Sequence, residues 1–380
     1  MVTDIKMFNE ADRSLHADVY TFARGVVKSM ILSDKEKEEI LSLFPNDLFA
    51  GKTFMITGAT GFLGGALVEL IISANRYYDM EPCTVIAVCR NIEKAKAKFG
   101  PMFTDNNIVF RSIELTEKIP IEQNVDYLIH TASNSSTYLF KAEPVDTLLA
   151  NTVGTENLLE FAKAKEVKSF VFLSSGAVYG DITEGIASID ETRSYGIELE
   201  NIYNSYAIGK LCGEFLCKAY YEQYGVPSKC IRISHTYGPG IDLNDGKVFS
   251  DFIKNIIDRS DIIIKGTGED YRTFCYISDA LKAFFYILFR GENGQSYNMA
   301  NNKELYSIKA LAEVLVKEAF PELGLSAVIK GEKSSEYGDK GIVLASTNKL
   351  EKLGWKPGIG VVEGFRRTVS YYEENKHGSF

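Results

Sequence analysis

Tyr206 and Lys210 have the residue types and the spacing of a proton-transfer pair. Residues four apart on a helix lie on one face, so the phenol and the ammonium group can act together. A free tyrosine has a pKa of about 10 and is a poor base at neutral pH, but a nearby positive charge favours its phenolate. Ser174 and Ser175 end an apolar run upstream, and the Ser175 hydroxyl can donate to the substrate oxygen that Tyr206 deprotonates. We therefore predict Ser175, Tyr206 and Lys210 as catalytic residues.

A glycine-rich segment, Gly58-Ala-Thr-Gly61-Phe-Leu-Gly64, separates a short apolar stretch from a longer apolar-periodic one. Gly58 permits a tight turn, Gly61 lets the backbone approach a pyrophosphate, and Gly64 lets a helix and a strand pack closely. Free amides and the dipole at the start of the following helix favour bound phosphate. The segment predicts a dinucleotide site, and its combination with the Tyr–Lys pair is more specific than either motif alone.

The end of the second predicted strand bears on the choice of cofactor. An acidic residue there holds a ribose 2′-hydroxyl, whereas an arginine suits a 2′-phosphate. Cys89-Arg90-Asn91 contains no acid, so we predict NAD or NADP with a preference for NADP. The alternative is that Arg90 is a solvated loop charge. Glu114 and Leu115, after the third strand, are placed to meet the adenine.

The elements that must position these residues alternate along the chain. We predict apolar strands over 53–57, 84–89, 107–113, 125–131, 168–174 and 228–233, and helices over 62–73, 92–99, 144–163 and 206–224. Such alternation is typical of a parallel sheet covered by helices on both faces. The fold class predicted is α/β, with a Rossmann-type doubly wound parallel sheet and a smaller α+β substrate-binding domain at its C-terminal edge.

Three parts are predicted along the chain. Residues 1–50 form a helical N-terminal extension for packing or dimer contact, with helices over 19–32 and 34–44, the second opened by the capping box Ser33-Asp-Lys-Glu36. Residues 51–233 form the NAD(P)-binding Rossmann domain. Residues 234–380 form mainly the substrate-binding domain, interleaved with the first by a return near 270–290. In this last part we predict helices over 248–258, 277–289, 307–320 and 348–353, and a strand over 262–265.

The composition is that of an ordinary globular protein. Hydrophobic residues make up 45% of the 380 residues and charged residues 24%, and the net charge of −9 argues against nucleic-acid binding. The six cysteines form no C-x-x-C pair and no cluster with zinc spacing, so we predict buried thiols and no metal site. No apolar run approaches the ~18 residues of a membrane span, and residues 1–10 lack the apolar core of a signal peptide. We expect a cytoplasmic protein with no membrane or nucleic-acid partner.

Several motifs together resemble the extended short-chain dehydrogenase/reductases, and more narrowly their nucleotide-sugar epimerase/dehydratase branch. They are the glycine segment, Ser174-Ser175, Val178-Tyr-Gly-Asp181 and Tyr206/Lys210, and the stretches 126–132, 151–155 and 232–239 add further similarity. The likeness spans about residues 52–375. Within that branch the chain is close to the UDP-glucose 4-epimerases and, over 243–252 and 266–274, most similar to UDP-glucuronate decarboxylases. The first 50 residues lie outside the family pattern.

The resemblance implies an NAD(P) cofactor, a nucleotide-diphosphate sugar as substrate and a homodimer paired through the helices that follow Asn151 and Tyr206. The implied cofactor contacts are Gly58, Thr60, Gly61, Phe62, Leu63, Gly64, Arg90, Asn91, Glu114, Leu115, Thr131, Ala132, Ser133, Asn151, Ser174, Tyr206, Lys210, Ile233 and His235. The implied substrate contacts are Ser135, Ser175, Gly176, Ala177, His235, Lys247, Val248, Phe249 and Arg272. Among these, Arg272 is expected to clamp the diphosphate through two hydrogen bonds, with a surface ion pair as the alternative. Lys247 can assist it or be a solvated loop lysine.

Two positions depart from the family pattern. Dehydratases and decarboxylases of this branch carry an acidic or polar pair after the hydroxyl residue, and that pair is Gly176-Ala177 here. Neither side chain can move a proton. A substrate-contacting asparagine of the family corresponds to His235, which can still hydrogen-bond the sugar or the pyrophosphate, or can be a satisfied structural histidine.

The resemblance implies a first step in which Tyr206 takes the proton of the sugar 4-hydroxyl while hydride leaves carbon 4 for the nicotinamide. An epimerase then returns hydride to the opposite face and needs no further acid, so an epimerase is our first prediction. A 4-keto-sugar reductase is an alternative if Arg90 selects NADPH, and the similarity around 244–246 leaves a decarboxylase or dehydratase open. A non-catalytic NAD(P)-sensing protein would have a broken catalytic trio, and this trio is intact.

Overall fold

The computed structural model describes residues 30–134, 136–180, 186–331 and 342–376. Its strands are β1 Thr53–Thr57, β2 Thr84–Cys89, β3 Ile108–Ser112, β4 Tyr127–His130, β5 Ser169–Ser175, β6 Ile186–Ile189, β7 Ser228–Ile233, β8 His235–Tyr237, β9 Ile262–Ile264, β10 Tyr271–Tyr276, β11 Gln295–Met299, β12 Leu305–Ser307, β13 Ala327–Ile329 and β14 Ile342–Ala345.

The helices flank these strands in the order that the sequence dictates. They are α1 Asp34–Leu41, α2 Phe62–Tyr77, α3 Ile92–Phe99, α4 Thr137–Ala142, α5 Pro144–Asn151, α6 Val153–Ala164, α7 Ser205–Tyr224, α8 Val248–Ile257, α9 Ile277–Arg290, α10 Ile308–Val314, α11 Asn348–Glu351 and α12 Val361–Lys376. Short 3₁₀ turns cover Asn46–Leu48, Gly100–Thr104, Gly176–Tyr179, Ile202–Asn204 and Pro321–Leu323, and a π-helical turn covers Leu315–Ala319.

A seven-stranded sheet runs through the described part of the chain in the spatial order β11-β7-β5-β4-β1-β2-β3. Every neighbouring pair in it is parallel. The strand order reverses direction between β1 and β4, and such a reversal opens a crevice beyond the carboxyl ends of the strands. The prediction of a Rossmann-type doubly wound parallel sheet is confirmed.

The two faces of this sheet have separate apolar cores. Along β1, Phe54 and Ile56 join the core that α2 and α9 cover, while Met55 joins the core that α6 and α7 cover. Successive side chains of a strand point to opposite faces, so both faces of β1 have to be apolar. This explains why the strand is an unbroken apolar run in the sequence.

Three small sheets lie outside the central one. In the first of them, β10 pairs with β8 in parallel and with β12 antiparallel. The other two are the parallel pairs of β9 with β13 and of β6 with β14. Because β11 pairs with β7 in the central sheet, the chain returns to that sheet at residues 295–299. The division at residue 233 into a cofactor domain and a substrate domain stays a prediction.

The single helix predicted over 144–163 was wrong, since the chain forms α5 and α6 with a break at Thr152. Around the break, the Thr147, Thr152 and Thr155 hydroxyls each donate to the carbonyl four residues earlier. Hydrogen bonds of this kind compete with the helical ladder and bend helices. The helices α4 and α12 and the strands β6, β8 and β10 to β14 were not predicted.

Residues 30–50 belong to the packed fold rather than to a separate extension. The amides of Ile31 and Leu32 donate to the buried Glu69 carboxylate of α2, so the last part of the helix predicted over 19–32 is not helical. The capping box at Ser33 and Glu36 is present as predicted and opens α1. Residues 1–29 lie outside the described residues.

No helix within the described ranges is long and apolar enough to cross a membrane.

Candidate active site

The glycine segment forms the turn between β1 and α2, where side chains have no room. Gly58 has a φ of +69°, which favours glycine. A Cβ on Gly64 would overlap the Gly58 carbonyl oxygen and lie 2.7 Å from Thr131 Oγ1. Gly61 is the N-cap of α2 and brings no side chain to the first amides of the helix.

This turn fits the pyrophosphate of a nicotinamide dinucleotide. The close approach of Gly64 to Gly58 keeps the start of α2 against β1, and uncapped amides with the positive end of the helix dipole favour a phosphate there. Thr60 and Phe62 are partly exposed around the turn, whereas the Leu63 side chain is buried in the core. Leu63 can therefore reach a cofactor through its backbone.

The carboxyl ends of the parallel strands bring most of the predicted residues to one edge of the sheet. In register, Thr57 pairs with Val88 and His130, and Ser175 with Ile233. The predicted residues that end a strand or directly follow one are Arg90, Asn91, Glu114, Leu115, Thr131, Ala132, Ser133, Ser175, Ile233 and His235. They line the crevice in which α/β sheets of this kind bind their ligands.

The residues after β2 and β3 have different environments. Arg90 is exposed, and its carbonyl accepts a hydrogen bond from Ser112 Oγ at 3.1 Å. The Asn91 side chain caps α3 by accepting the Lys94 amide at 2.9 Å, and Glu114 accepts the Thr116 hydroxyl at 3.2 Å. Arg90, Asn91 and Glu114 are all exposed at this end of the crevice.

Ser175, Tyr206 and Lys210 meet at the end of β5. Lys210 Nζ donates to the Leu173 carbonyl at 2.6 Å and lies 5.8 Å from the centre of the Tyr206 ring. Ser175 is hydrogen-bonded to the Tyr206 phenol and its Oγ accepts the Ala177 amide at 3.2 Å. The Ser175 hydroxyl keeps its own hydrogen while it accepts the Ala177 amide, so it can still donate to the phenol or to a substrate oxygen beside it.

The pKa values of the pair follow from burial. Burial lowers the pKa of Lys210 to about 7, although the Glu214 carboxylate acts in the opposite direction. Burial raises the pKa of Tyr206, and its hydrogen bond with Ser175 offsets part of the rise. The expectation that the lysine would bring the Tyr206 pKa down is therefore not met in this structure, since desolvation of the phenolate outweighs the favourable interactions.

Two predicted cofactor contacts have side chains that do not reach the crevice. Ser174 is fully buried and its hydroxyl donates to the Glu214 carboxylate. Asn151 is also fully buried, and its amide donates to the Thr147 carbonyl at 2.7 Å and to Ser133 Oγ at 3.0 Å. The Ser174 hydroxyl and the Asn151 Nδ2 group hold neighbouring residues in place, whereas Asn151 Oδ1 is buried with no hydrogen-bond partner among the described residues.

His235 lies where the cleft between the sheet and the smaller sheets opens. Its ring centre is 6.1 Å from that of Phe274 and 6.5 Å from that of Phe249. The His235 side chain is exposed at the start of β8, and partial desolvation lowers the pKa of its ring below the usual value. Arg272 and Lys247 lower the pKa further, so a neutral imidazole faces two cations.

The two cations on the substrate side are held by short-range contacts. Arg272 donates to the Tyr271 carbonyl at 2.7 Å, and Lys247 Nζ lies 2.6 Å from the Asp245 carboxylate. Val248 begins α8 and is partly exposed, whereas the Phe249 ring is buried. Ser135 lies outside the described residues.

Gly176 and Ala177 leave open space next to Ser175. The nearest atom to a Cβ built on Gly176 would be the Ile233 carbonyl oxygen, at 3.7 Å, and Ala177 is exposed. Larger side chains at both positions would face the cleft. The structure therefore shows room, but no ionisable group, at the two positions where the sequence departs from the dehydratase and decarboxylase pattern.

Three residues of the site were missed by the sequence analysis. The Phe140 ring stacks on Tyr206 with centres 4.5 Å apart, Lys98 Nζ donates to the Gly61 carbonyl at 2.8 Å, and Glu214 lies one helical turn after Lys210. Only Glu214 had a signal, because the spacing of four residues that joins Tyr206 to Lys210 continues to it. Phe140 lies on α4, which was not predicted.

A parallel sheet with a glycine turn after its first strand, and a Ser–Tyr–Lys cluster between its fifth strand and the following long helix, defines the extended short-chain dehydrogenase/reductases. Residues 54–300 match the model of the NAD dependent epimerase/dehydratase family. The chain belongs to this family and is an enzyme.

Similar proteins within the family catalyse different reactions. The dTDP-D-glucose 4,6-dehydratase of Bos taurus is 26% identical over 88% of this chain and 92% of its own length. The UDP-glucuronic acid decarboxylase 1 of Arabidopsis thaliana is 29% identical over 83% of this chain and 68% of its own length. The crystal structure of the UDP-glucuronic acid 4-epimerase of Bacillus cereus, in complex with UDP-glucuronic acid and NAD, has a TM-score of 0.70 and 21% identity over 85% of this chain and 99% of its own. The two sequence relatives are named for different reactions and the solved structure shares the fold, so the reaction of this chain has to be argued from its own site.

Proposed function

We propose that this protein is an NAD(P)-dependent nucleotide-sugar epimerase that works through a 4-keto intermediate. The observation that carries the proposal is the contrast between two neighbouring groups of residues. Ser175, Tyr206 and Lys210 lie together, while Gly176 and Ala177 leave open space where an acid is needed to eliminate water or carbon dioxide. Oxidation of the sugar at carbon 4 and the reverse reduction need Ser175, Tyr206 and Lys210, and they need no acid at positions 176 and 177.

The chain's own residues move one proton and position the substrate. Tyr206 takes the proton from the sugar 4-hydroxyl, and Ser175 donates a hydrogen bond to the same oxygen while it becomes a ketone. Ser175 is oriented for this by the Ala177 amide, and the Tyr206 ring by its stacking on Phe140. Tyr206 gives the proton back when the ketone is reduced. The nicotinamide, when bound, accepts a hydride from carbon 4 and returns it.

We propose that the glycine turn holds the pyrophosphate of the cofactor and that Lys210 contacts the nicotinamide ribose. The other contacts are those predicted after β2, β3 and β4, with Ser133 oriented by Asn151. Arg90 supports a preference for NADP, because it is exposed directly after β2 and the segment that follows the strand has no acid.

We propose that the substrate is a nucleotide-diphosphate sugar whose diphosphate binds at Arg272. The observation behind this is the approach of Arg272 and Lys247 to His235, which places two positive charges on the wall of the cleft. A neutral His235 can hydrogen-bond the sugar or the diphosphate without adding charge. Arg272 suits a diphosphate because its planar guanidinium can donate two parallel hydrogen bonds.

A 4-keto-sugar reductase is the second candidate, and Arg90 is the observation that favours it. An enzyme that uses external NADPH gains from an arginine that recognises the 2′-phosphate, whereas an epimerase keeps and recycles its cofactor. The two candidates share every residue of the catalytic cluster. They differ in whether the nicotinamide stays bound between turnovers.

We also propose a homodimer that pairs through α5 and α7. Val145 and Leu149 on α5 and Phe215 on α7 are exposed, with exposed fractions of 62%, 38% and 66%. The two helices pack side by side on one face of the sheet. Exposed apolar side chains on adjoining helices favour a self-complementary contact with a second copy of the chain.

The proposal is tested by incubating the purified protein with a panel of UDP-, dTDP-, CDP- and GDP-sugars and identifying products by NMR and mass spectrometry. We expect one sugar to be converted to a stereoisomer of unchanged mass without added cofactor. A product that has lost water or carbon dioxide would contradict the epimerase proposal. Consumption of added NADPH in step with product would favour the reductase.

A further inference from the structure

Glu214 is a buried carboxylate with an unusual number of partners. Arg232 Nε donates to it at 2.9 Å and Arg232 Nη2 at 2.7 Å, Ser296 Oγ lies 3.0 Å away, and the Ser174 hydroxyl also donates to it. Glu214 and Arg232 are both more than nine-tenths buried. A buried ion pair of this kind is costly to desolvate and is weak evidence for stability alone, so another role has to be considered.

The partners of Glu214 come from three neighbouring strands. Ser174 lies at the end of β5, Arg232 near the end of β7, and Ser296 near the start of β11, while Glu214 itself is on α7. Ser174 precedes the predicted catalytic Ser175, and Glu214 follows Lys210 by one helical turn. One carboxylate therefore connects both halves of the catalytic cluster.

Arg232 is held from its other side as well. Its Nη1 donates to the Glu191 carbonyl at 3.1 Å, and its guanidinium carbon lies 4.8 Å from the centre of the Tyr179 ring. Tyr179 in turn donates to Asn298 Oδ1 at 2.5 Å. These contacts fix the Arg232 guanidinium and leave Glu214 few alternative positions.

We propose that Glu214 is a positioning residue of the active site. Its hydrogen bonds with Ser174, Arg232 and Ser296 hold the end of β5 against α7, and its carboxylate lies one helical turn from Lys210. The inference rests on the proposed function in one respect only, namely that Lys210 serves the reaction. Glu214 touches neither Tyr206 nor the cleft, so it acts through Lys210 and Ser174.

Among the groups that face Lys210, Glu214 is the carboxylate. On α7 they are Tyr206, Glu214 and Cys217, on β7 Cys230, on β4 His130, and on β5 the Phe172 ring and the Leu173 carbonyl. Burial lowers the pKa of His130 to about 3 and raises that of Cys230, so both are neutral near pH 7. Glu214 therefore supplies the negative charge that favours a protonated Lys210.

The test measures the titration of Lys210 directly, in protein labelled with carbon-13 at the lysine ε position. The Lys210 signal is assigned by its loss in Lys210→Met. In Glu214→Gln we expect the midpoint of Lys210 to fall by about one pH unit relative to the unchanged chain, because an opposite charge is removed. The pH profile of turnover on the sugar identified by the panel should move in the same direction.

The matched control is Glu69→Gln, which removes another buried carboxylate that is paired with a lysine, far from the cleft. Glu69→Gln should lower the stability of the protein and leave the titration midpoint of Lys210 unchanged. If Glu214→Gln does not fold, Glu214→Gln with Arg232→Met removes both charges and should show a smaller downward shift, because loss of the guanidinium charge acts on the Lys210 pKa in the opposite direction. A Lys210 midpoint equal to that of the unchanged chain, in whichever of these variants folds, would overturn the inference.

Failure of every sugar in the panel would overturn the proposed function and leave the Lys210 titration valid.

Discussion

At the scale of single residues, the site is defined by how burial and hydrogen bonds distribute protons. Lys210 is enclosed on all sides and bonds a backbone carbonyl, so burial brings its pKa to about 7. Ser175 accepts the Ala177 amide, and its hydrogen bond with Tyr206 lowers the pKa of the phenol against the larger effect of burial. Ser175, Tyr206 and Lys210 were predicted from residue type and spacing. Their pKa values could not be predicted in this way, because desolvation depends on which distant segments cover a side chain.

The first prediction concerns the base. Tyr206→Phe should lower kcat by about 10²- to 10⁴-fold, since it removes the group that takes the proton. The phenyl ring retains the stacking on Phe140, so the affinity for NAD(P)H, measured by fluorescence titration, should stay within a few-fold. Turnover equal to that of the unchanged chain would remove Tyr206 from the mechanism.

The second prediction concerns acid sensitivity. His130 is fully buried, its Nδ1 lies 2.7 Å from Thr57 Oγ1, and burial lowers its pKa from 6.5 to about 3. The unfolded chain therefore binds a proton below pH 6.5 that the folded chain does not, so stability is fully present above pH 6.5 and falls as the pH drops towards 3. Urea unfolding of the unchanged chain should show a loss of about 2 kcal/mol from this residue between pH 6.5 and pH 5. His130→Asn should lack that share of the loss, and an identical pH dependence in the two proteins would contradict the assignment.

At the scale of elements, the glycine turn, the strand ends and α7 were predictable because each has a local signal. An unbroken apolar run predicts a buried parallel strand, and the glycine spacing predicts the turn after it. The break between α5 and α6 was not predictable in the same way, because it arises from threonine hydroxyls that bond carbonyls of their own helix. Helix α12 had an apolar repeat at Val361, Phe365 and Val369 that could have been found.

The element-scale prediction concerns the anchoring of residues 30–33 to α2. Glu69 accepts the Ile31 and Leu32 amides and pairs with the buried Lys37 at 3.3 Å. Glu69→Gln should lower the free energy of unfolding by about 3 kcal/mol, because it leaves a buried lysine poorly compensated. Adding Lys37→Met should recover part of the loss, and urea unfolding of the three proteins measures both effects. No loss in Glu69→Gln would show that these contacts do not hold the segment.

At the scale of the whole molecule, six of the seven strands of the central sheet were predicted, whereas β9 is the one predicted strand of the small sheets. Alternating strands and helices leave few topologies open, since parallel strands need helical crossovers of one hand. Strands of three residues such as β8 and β13 carry too little pattern to be distinguished from loops. They also pair with segments far along the chain, which local sequence does not reveal.

The prediction at this scale concerns assembly. Val145→Glu with Phe215→Glu places charges on the exposed faces of α5 and α7 and should convert the proposed dimer to a monomer in sedimentation velocity, with the far-UV circular dichroism unchanged. Leu199→Glu, an exposed leucine outside both helices, is the control and should remain dimeric. A variant that remains a dimer would place the interface elsewhere.

The central claim is that carbon 4 of the sugar loses a hydride and regains the same one, with no further proton-transfer step. The most direct test is turnover of the sugar identified by the panel with deuterium in place of hydrogen at carbon 4. We predict a stereoisomer of unchanged mass that still carries the deuterium at carbon 4. Deuterium at another carbon, or a product that lacks the elements of water or carbon dioxide, would contradict the account.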